Sequence, residues 1–271
     1  MHRSVCFIVF TFSVFICASA FASNPIKVSS TIHPSFSQPD VMPGLGNGVL
    51  NDITVQAFKA VDTEIQIEFI PMARIVWSLT ESDYDAMLGT INWFTKEQKD
   101  HLVEAVDLLT ANIVFFYKRN RFPDGIAYEQ LSDLKQYKVG SIRGSSTLPL
   151  LEKAGIPTEL VAELDQNFKK LDAGHIDLTV AIDLTGRNII KKLFPDAAND
   201  FAFVKKPVLS IMTSMAFPKG RNGPLQSFRK GLDIILANGT FYEILERYYG
   251  KDYRFEDILP RDIHGKMKKK Y

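Results

Sequence analysis

The sequence predicts an α/β fold built from two similar units, and three observations carry that prediction. Strand-like and helix-like stretches alternate along the chain, a pattern that places helices on the faces of a sheet. The alternation halts at a long apolar stretch, Ala111 to Tyr117, and then restarts; a second such stretch, Val208 to Phe217, precedes the closing helices. The composition supports a core, since 271 residues with 46% hydrophobic and 23% charged exclude a disordered chain and fit one or two domains. With 32 basic against 31 acidic residues, no net charge draws the chain to nucleic acid or an anionic surface.

The leading segment stands apart. Met1-His2-Arg3 is followed by an apolar run from Val5 to Ile16 and by small residues ending Ala20-Phe21-Ala22-Ser23. That is the charged start, apolar middle and A-x-A end of a secretory signal. The run is shorter than the ~20 apolar residues that span a bilayer. Residues 1–22 are therefore expected to be a cleaved signal peptide and the mature chain to be exported, in a Gram-negative bacterium to the periplasm. Both cysteines, Cys6 and Cys17, fall in this segment, so the mature chain carries no thiol.

Lys27 to Ile32 is rich in β-branched residues and reads as a strand, broken by His33-Pro34-Ser35-Phe36. From Val49 to Val61 the apolar spacing turns helical. Ile65 to Ile70 alternates as a strand, and Pro71 sits where a helix tolerates it, at the first turn of one running to about Leu79. Asp85 to Leu88 gives another strand. Thr95 and Gln98 form a capping box for the next helix. After Ala111 to Tyr117 come a strand at Tyr137 to Ile142, a helix at Ser146 to Ala154, a short strand near Val161, then helix, strand and helix. The halves share one spacing, Leu79 six residues before Asp85 and Leu171 six before Asp177, each ahead of an apolar strand. Leu225, Phe228, Leu232 and Ile235 share one face of a helix over Pro224 to Ala237. Gly239 stops it, and a last helix starts at Thr240 and ends before Gly250. Lys266, Lys268, Lys269 and Lys270 make a basic tail, expected to be a solvated terminus.

In this order and spacing, the motifs resemble those of a family. They are His33-Pro34-x-Phe36, Gly48 with Asp52-Ile53, Pro71-Met72-Ala73-Arg74 with Asp85, Leu131-x-x-Leu134 before Val139-Gly140, Gly144-Ser145-Ser146, Leu171-x-x-Gly174-x-x-Asp177, and Asn238-Gly239-Thr240 to Tyr248-Tyr249-Gly250. Across about Ile26 to Gly250 the chain resembles the bacterial extracellular solute-binding proteins of family 3, receptors that feed solutes to ABC transporters. The resemblance implies a two-lobed, type II periplasmic binding-protein (Venus-flytrap) fold. One lobe would comprise 24–113 and 210–258 and the other 114–209, with a basic tail over 259–271. Two crossing hinge strands would join the lobes, which close over a small polar solute, amino acid-like or another small organic anion. The partner would be an inner-membrane ABC permease or a membrane sensor protein, and the receptor a monomer. The chain departs from the family where an arginine usually grips the ligand carboxylate in a bidentate fork. Gln98 stands at about that place.

No catalytic constellation is present. His33, His101, His175 and His264 show no metal-ligand spacing, and no G-x-S-x-G or P-loop occurs. The expectation is a binding protein without cofactor or metal, with a dehydratase-type cleft enzyme as the alternative because a fold does not fix a function. Arg143, Ser145, Ser146 and Thr147 lead from a strand into a helix, where amides and hydroxyls can hold an anionic group or serve as an ordinary cap. Arg74 can replace the missing arginine or form a surface ion pair. His33 belongs to the turn motif after the first strand, and Phe36, Asn92 and Trp93 lie on loops where the rings can stack on a flat or cationic ligand. Asp183, at a strand end, can face a ligand amine or hydroxyl, as an acid near there does in some family members, or cap its helix.

Overall fold

The computed structural model describes residues 24–81 and 84–268. The expected signal peptide and the last lysines of the tail, Lys269 and Lys270, lie outside the described residues. In chain order the elements are β1 (Ile26–Ser30), α1 (Val49–Lys59), β2 (Ile65–Phe69), α2 (Met72–Thr80), β3 (Ala86–Gly89), α3 (Lys96–Leu102), β4 (Val103–Lys118), β5 (Val139–Ile142) and α4 (Leu148–Lys153). They continue with β6 (Thr158–Val161), α5 (Leu164–Asp172), β7 (Leu178–Ile182), α6 (Asp183–Leu193), β8 (Phe201–Phe203), β9 (Leu209–Pro218), α7 (Asn222–Ala237), α8 (Thr240–Tyr249) and α9 (Arg261–Lys266). None of these helices is long and apolar enough to cross a membrane.

Local chemistry accounts for most boundaries. The Thr95 hydroxyl accepts the Gln98 amide at 3.2 Å and the Gln98 side chain accepts the Thr95 amide at 2.9 Å, so the capping box that opens α3 is complete. Short parallel strands such as β3 are buried on both faces and therefore read as continuous apolar runs. The largest departure is β4, which begins at Val103 rather than near Ala111. Glu104 and Asp107 interrupt its apolar pattern, and a β-bulge between Asp107 and Leu109 shifts its register. The tail also differs. Ile258, Leu259 and Ile263 are buried, and the Lys268 amide donates to the Leu236 carbonyl, so residues 258–268 pack on α7.

The strands form one mixed sheet in the order β2-β1-β3-β9-β4-β7-β5-β6, with β8 also paired to β4. β1, β2 and β3 are mutually parallel, as are β5, β6 and β7, and the antiparallel pair β4 and β9 joins the two sets. The core is divided accordingly. Around β1 to β3 it is built on α1, α7 and α8 on one face and on α2 on the other. Around β5 to β7 it is built on α4 on one face and on α5 and α6 on the other. The α1 and α7 backbones touch at Gly231, where an added Cβ would lie 1.8 Å from the Ala57 carbonyl oxygen. Two lobes on two long crossing strands is the architecture the sequence predicts.

Candidate functional site

Register fixes where the strand ends lie. Gly89 pairs with Ser214 and Ser214 with Asp107, so the first lobe's strands end level with Asp107 on β4. Ile182 pairs with Ile113 and Ile113 with Leu209, so the second lobe's strands end level with Ile113. β3 runs in the same sense as β4 and β7 in the opposite sense. The two sets of carboxyl ends therefore point toward each other, about 20 Å apart along β4 at ~3.3 Å per residue. Ligands of open α/β sheets bind at such edges, where loops and helix starts converge.

On the first lobe the edge carries an aromatic pair. His33 folds a tight turn, its amide donating to the Ser37 carbonyl at 2.8 Å and its carbonyl accepting the Ser37 amide at 2.9 Å. Its ring stacks on Trp93, with centroids 5.9 Å apart and planes at 19°. Trp93 ends a short 3-10 turn after β3, held where the Thr90 hydroxyl accepts the Asn92 amide at 3.2 Å. The indole rests on the backbone of Gly89, where a Cβ would meet Trp93 Cζ3 at 2.3 Å, so a side chain there would displace it. Both rings are half-buried and Asn92 is exposed. Burial holds the His33 pKa below its ordinary value and so favours the neutral imidazole.

Other expected residues are placed differently. Phe36 is 3% exposed and belongs to the core, because its carbonyl accepts the first-turn amide of Leu50 and the turn directs the ring inward. It offers a solute no face. Arg74 is exposed at the start of α2 and forms no ion pair among the described residues. Gln98 serves its helix cap. On the second lobe, Arg143 and Ser146 are exposed, whereas Thr147 is fully buried, its hydroxyl 2.8 Å from that of Ser145, which also accepts the Thr147 amide at 3.3 Å. Part of the expected anion cradle is thus consumed internally, leaving Arg143, Ser146 and the half-buried Ser145.

Asp183 is not open to a solute at the strand ends. It is 1% exposed, its carboxylate accepting the Tyr253 hydroxyl at 2.6 Å and the Leu184 amide at 2.7 Å. Desolvation raises its pKa, opposed by those two hydrogen bonds and by Arg187. Around it α6 joins the lobes: Leu184 is buried in the first lobe's core, the Thr185 hydroxyl donates to the Pro34 carbonyl at 2.8 Å, Asn188 donates to the Ser35 hydroxyl at 2.9 Å, and Arg187 donates to the Tyr249 carbonyl at 2.8 Å. Asp183 and Arg187 face a groove of about 700 Å³, lined also by Asn112, Ser210, Tyr249 and Tyr253. Within it the Ser210 hydroxyl of β9 donates to Asn112 Oδ1 of β4 at 2.7 Å, so the groove reaches both crossing strands. Sequence reasoning missed Arg187 and Tyr253. Arg187 is visible as an i, i+4 partner of Asp183; Tyr253, distant in sequence, carries no local signal.

No protein-family model and no curated protein matches this sequence. Solved structures do. The chain is similar to the L-cystine solute receptor of Neisseria gonorrhoeae in its unliganded open conformation, with TM-score 0.64 and 16% identity over 84% of this chain and 94% of that one. It is similar to the substrate-binding protein of an amino acid ABC transporter, with TM-score 0.57 and 16% identity over 84% of this chain and 100% of that one. A histidine kinase sensor domain with similarity to periplasmic binding proteins matches at TM-score 0.58 and 18% identity, covering 83% of this chain and 96% of that one. These likenesses establish the fold, a two-lobed α/β architecture of the periplasmic binding-protein type.

Proposed function

We propose that this chain is a periplasmic solute-binding protein. It captures a small polar solute between lobes 24–113 with 210–258 and 114–209, and it delivers that solute to an inner-membrane ABC permease. The observation that supports this most is the pair of strand-end edges facing each other across β4 and β9. Two edges on lobes joined by two strands can close on a solute, and hinge closure turns contacts on both lobes into one compact state. His33, Asn92, Trp93 and Arg74 from the first lobe and Arg143, Ser145 and Ser146 from the second are the contacts offered. The receptor acts as a monomer and performs no chemistry. A second reading, a sensor domain whose closed form engages a membrane signalling protein, is favoured by the likeness to the histidine kinase sensor domain.

The test is compaction. Mass spectrometry of the natively purified, exported protein identifies the co-purifying solute, and small-angle scattering with and without it reads the radius. A smaller radius at saturation is expected. An unchanged profile would identify a rigid two-lobed protein and overturn the receptor mechanism. Co-purification with a permease or with a sensor kinase separates the two readings.

A further inference from the structure

The first-lobe edge has an unusual charge pattern. Where an anion-gripping arginine would fall, Gln98 is neutral and spent on its helix cap. Burial favours the neutral form of the His33 imidazole. Arg74 is exposed in the first turn of α2 and joins no ion pair among the described residues. The charge that shares Gly89's row is negative. Gly89, Ser214 and Asp107 pair in succession across β3, β9 and β4, so their side-chain positions face the same side of the sheet. Trp93 stands over the first, fully buried Ser214 is the second, and exposed Asp107 is the third. Ser214 Oγ donates to Asp107 Oδ1 at 2.7 Å, which orients the carboxylate. Its Oδ2 accepts no hydrogen bond and joins no ion pair among the described residues.

We infer that the solute presents a cationic group to this lobe, lodged between the His33–Trp93 stack and the Asp107 carboxylate. The row spans about 10 Å between the outer strands, room for one small cation with a ring face on one side and an acid on the other. The negative face of an indole attracts a cation, and the acid supplies the counter-charge that a partly desolvated cation requires. The carboxylate that could have served an amine from the second lobe is enclosed with Tyr253, so recognition of positive charge falls to Asp107. This inference rests on the solute-binding reading above and names the chemistry of the same cleft.

Trp77 and Trp93 are the tryptophans of the chain, and Trp77 is exposed on α2, so Trp77→Phe leaves Trp93 as the fluorescent reporter. The full mature protein is titrated with benzamidinium, benzamide and benzoate, rings of one shape and different charge. Benzamidinium is expected to change Trp93 emission at about tenfold lower concentration than benzamide. Asp107→Asn should abolish that difference without altering the benzamide response, while Asp107→Glu retains it. Equal potency of benzamidinium and benzamide, a preference for benzoate, silence toward all three probes, or a preference surviving Asp107→Asn at unchanged melting temperature would each overturn the inference. Scattering separates the two levels. Compaction with the co-purified solute alongside any of those results leaves the receptor reading standing, and loss of both overturns both.

Discussion

Two regions where the lobes meet or face each other have opposite characters. At the α6 junction most polar groups are satisfied: Asp183 by Tyr253 and Leu184, Arg187 by the Tyr249 carbonyl, Thr185 by Pro34, with Leu184 sealed in the first lobe's core and the buried Tyr249 hydroxyl the exception. At the first-lobe strand ends the groups are half-exposed and incompletely partnered: Trp93 on Gly89, Asn92 and Arg74 in solvent, Asp107 with one oxygen engaged. Satisfied buried polar groups hold a structure together. Partly exposed groups on an edge are available to a solute. On the proposed function the junction serves stability and the edge serves binding, and mutations should separate them.

The sharpest break comes at Leu184. Its side chain is fully buried, so Leu184→Ala removes a packed group and leaves a cavity, at a cost of about 2–5 kcal/mol. Chemical denaturation should show the loss directly. A cost below about 1 kcal/mol would place α6 loosely on the first lobe and erase the contrast between the two regions. Tyr253→Phe should be next, at about 1–3 kcal/mol, because it strips a hydrogen bond from a buried carboxylate and leaves that oxygen unsatisfied.

The junction should also imprint itself on pH dependence. The Asp183 pKa is raised in the folded state by desolvation, despite the opposing effects of Tyr253, the Leu184 amide and Arg187. The folded protein therefore binds more protons at this site than the unfolded chain, and stability falls as pH rises from about 4, the ordinary carboxylate range, to the raised folded value. Above that value the penalty is constant. Asp183→Asn should flatten this segment of the stability profile, and melting temperatures of the two proteins across that range check it. Parallel profiles would show the carboxylate to be well solvated and the junction less enclosed than its hydrogen bonds imply.

What the sequence made legible follows the range of the forces involved. The α1 and α7 faces, the Thr95 capping box and the order of strands and helices are set by residues a few positions apart, so periodicity and caps reveal them. The first half of β4 escapes a sequence reading because Glu104 and Asp107 break its apolar pattern, and Asp107 is also the acid of the proposed cation site. The motif positions of Phe36 and Asp183 lie next to strand ends, which in the sequence points them toward the cleft. Their side-chain directions depend on a tight turn and on a strand-end register in which one residue's shift reverses the face. Ile182 accordingly packs against the cores of both lobes, and Asp183 turns to Tyr253. His33 and Trp93, both expected at the site, do meet, but their stacking rests on a glycine whose role no local pattern announces.

The smallest effect on stability is expected at Arg74, and it is the most informative about the edge. Arg74 is exposed and unpaired among the described residues, so Arg74→Ala should change stability by no more than about 0.5 kcal/mol. Its effect on binding separates two pictures of the site. If the solute is held by a desolvated carboxylate–arginine pair, removing Arg74 should weaken binding of the co-purified compound by about 2–5 kcal/mol. If the cleft is organised around Trp93 and Asp107, Arg74 is an exposed charge in high-dielectric surroundings. Its removal should then leave affinity unchanged, or slightly improve it by lifting a screened repulsion. Calorimetry of Arg74→Ala with that compound, at matched ionic strength, should give near-wild-type affinity. A loss of tenfold or more, about 1.4 kcal/mol, would restore Arg74 as the anion partner and move the recognition centre from the Gly89 row to the start of α2.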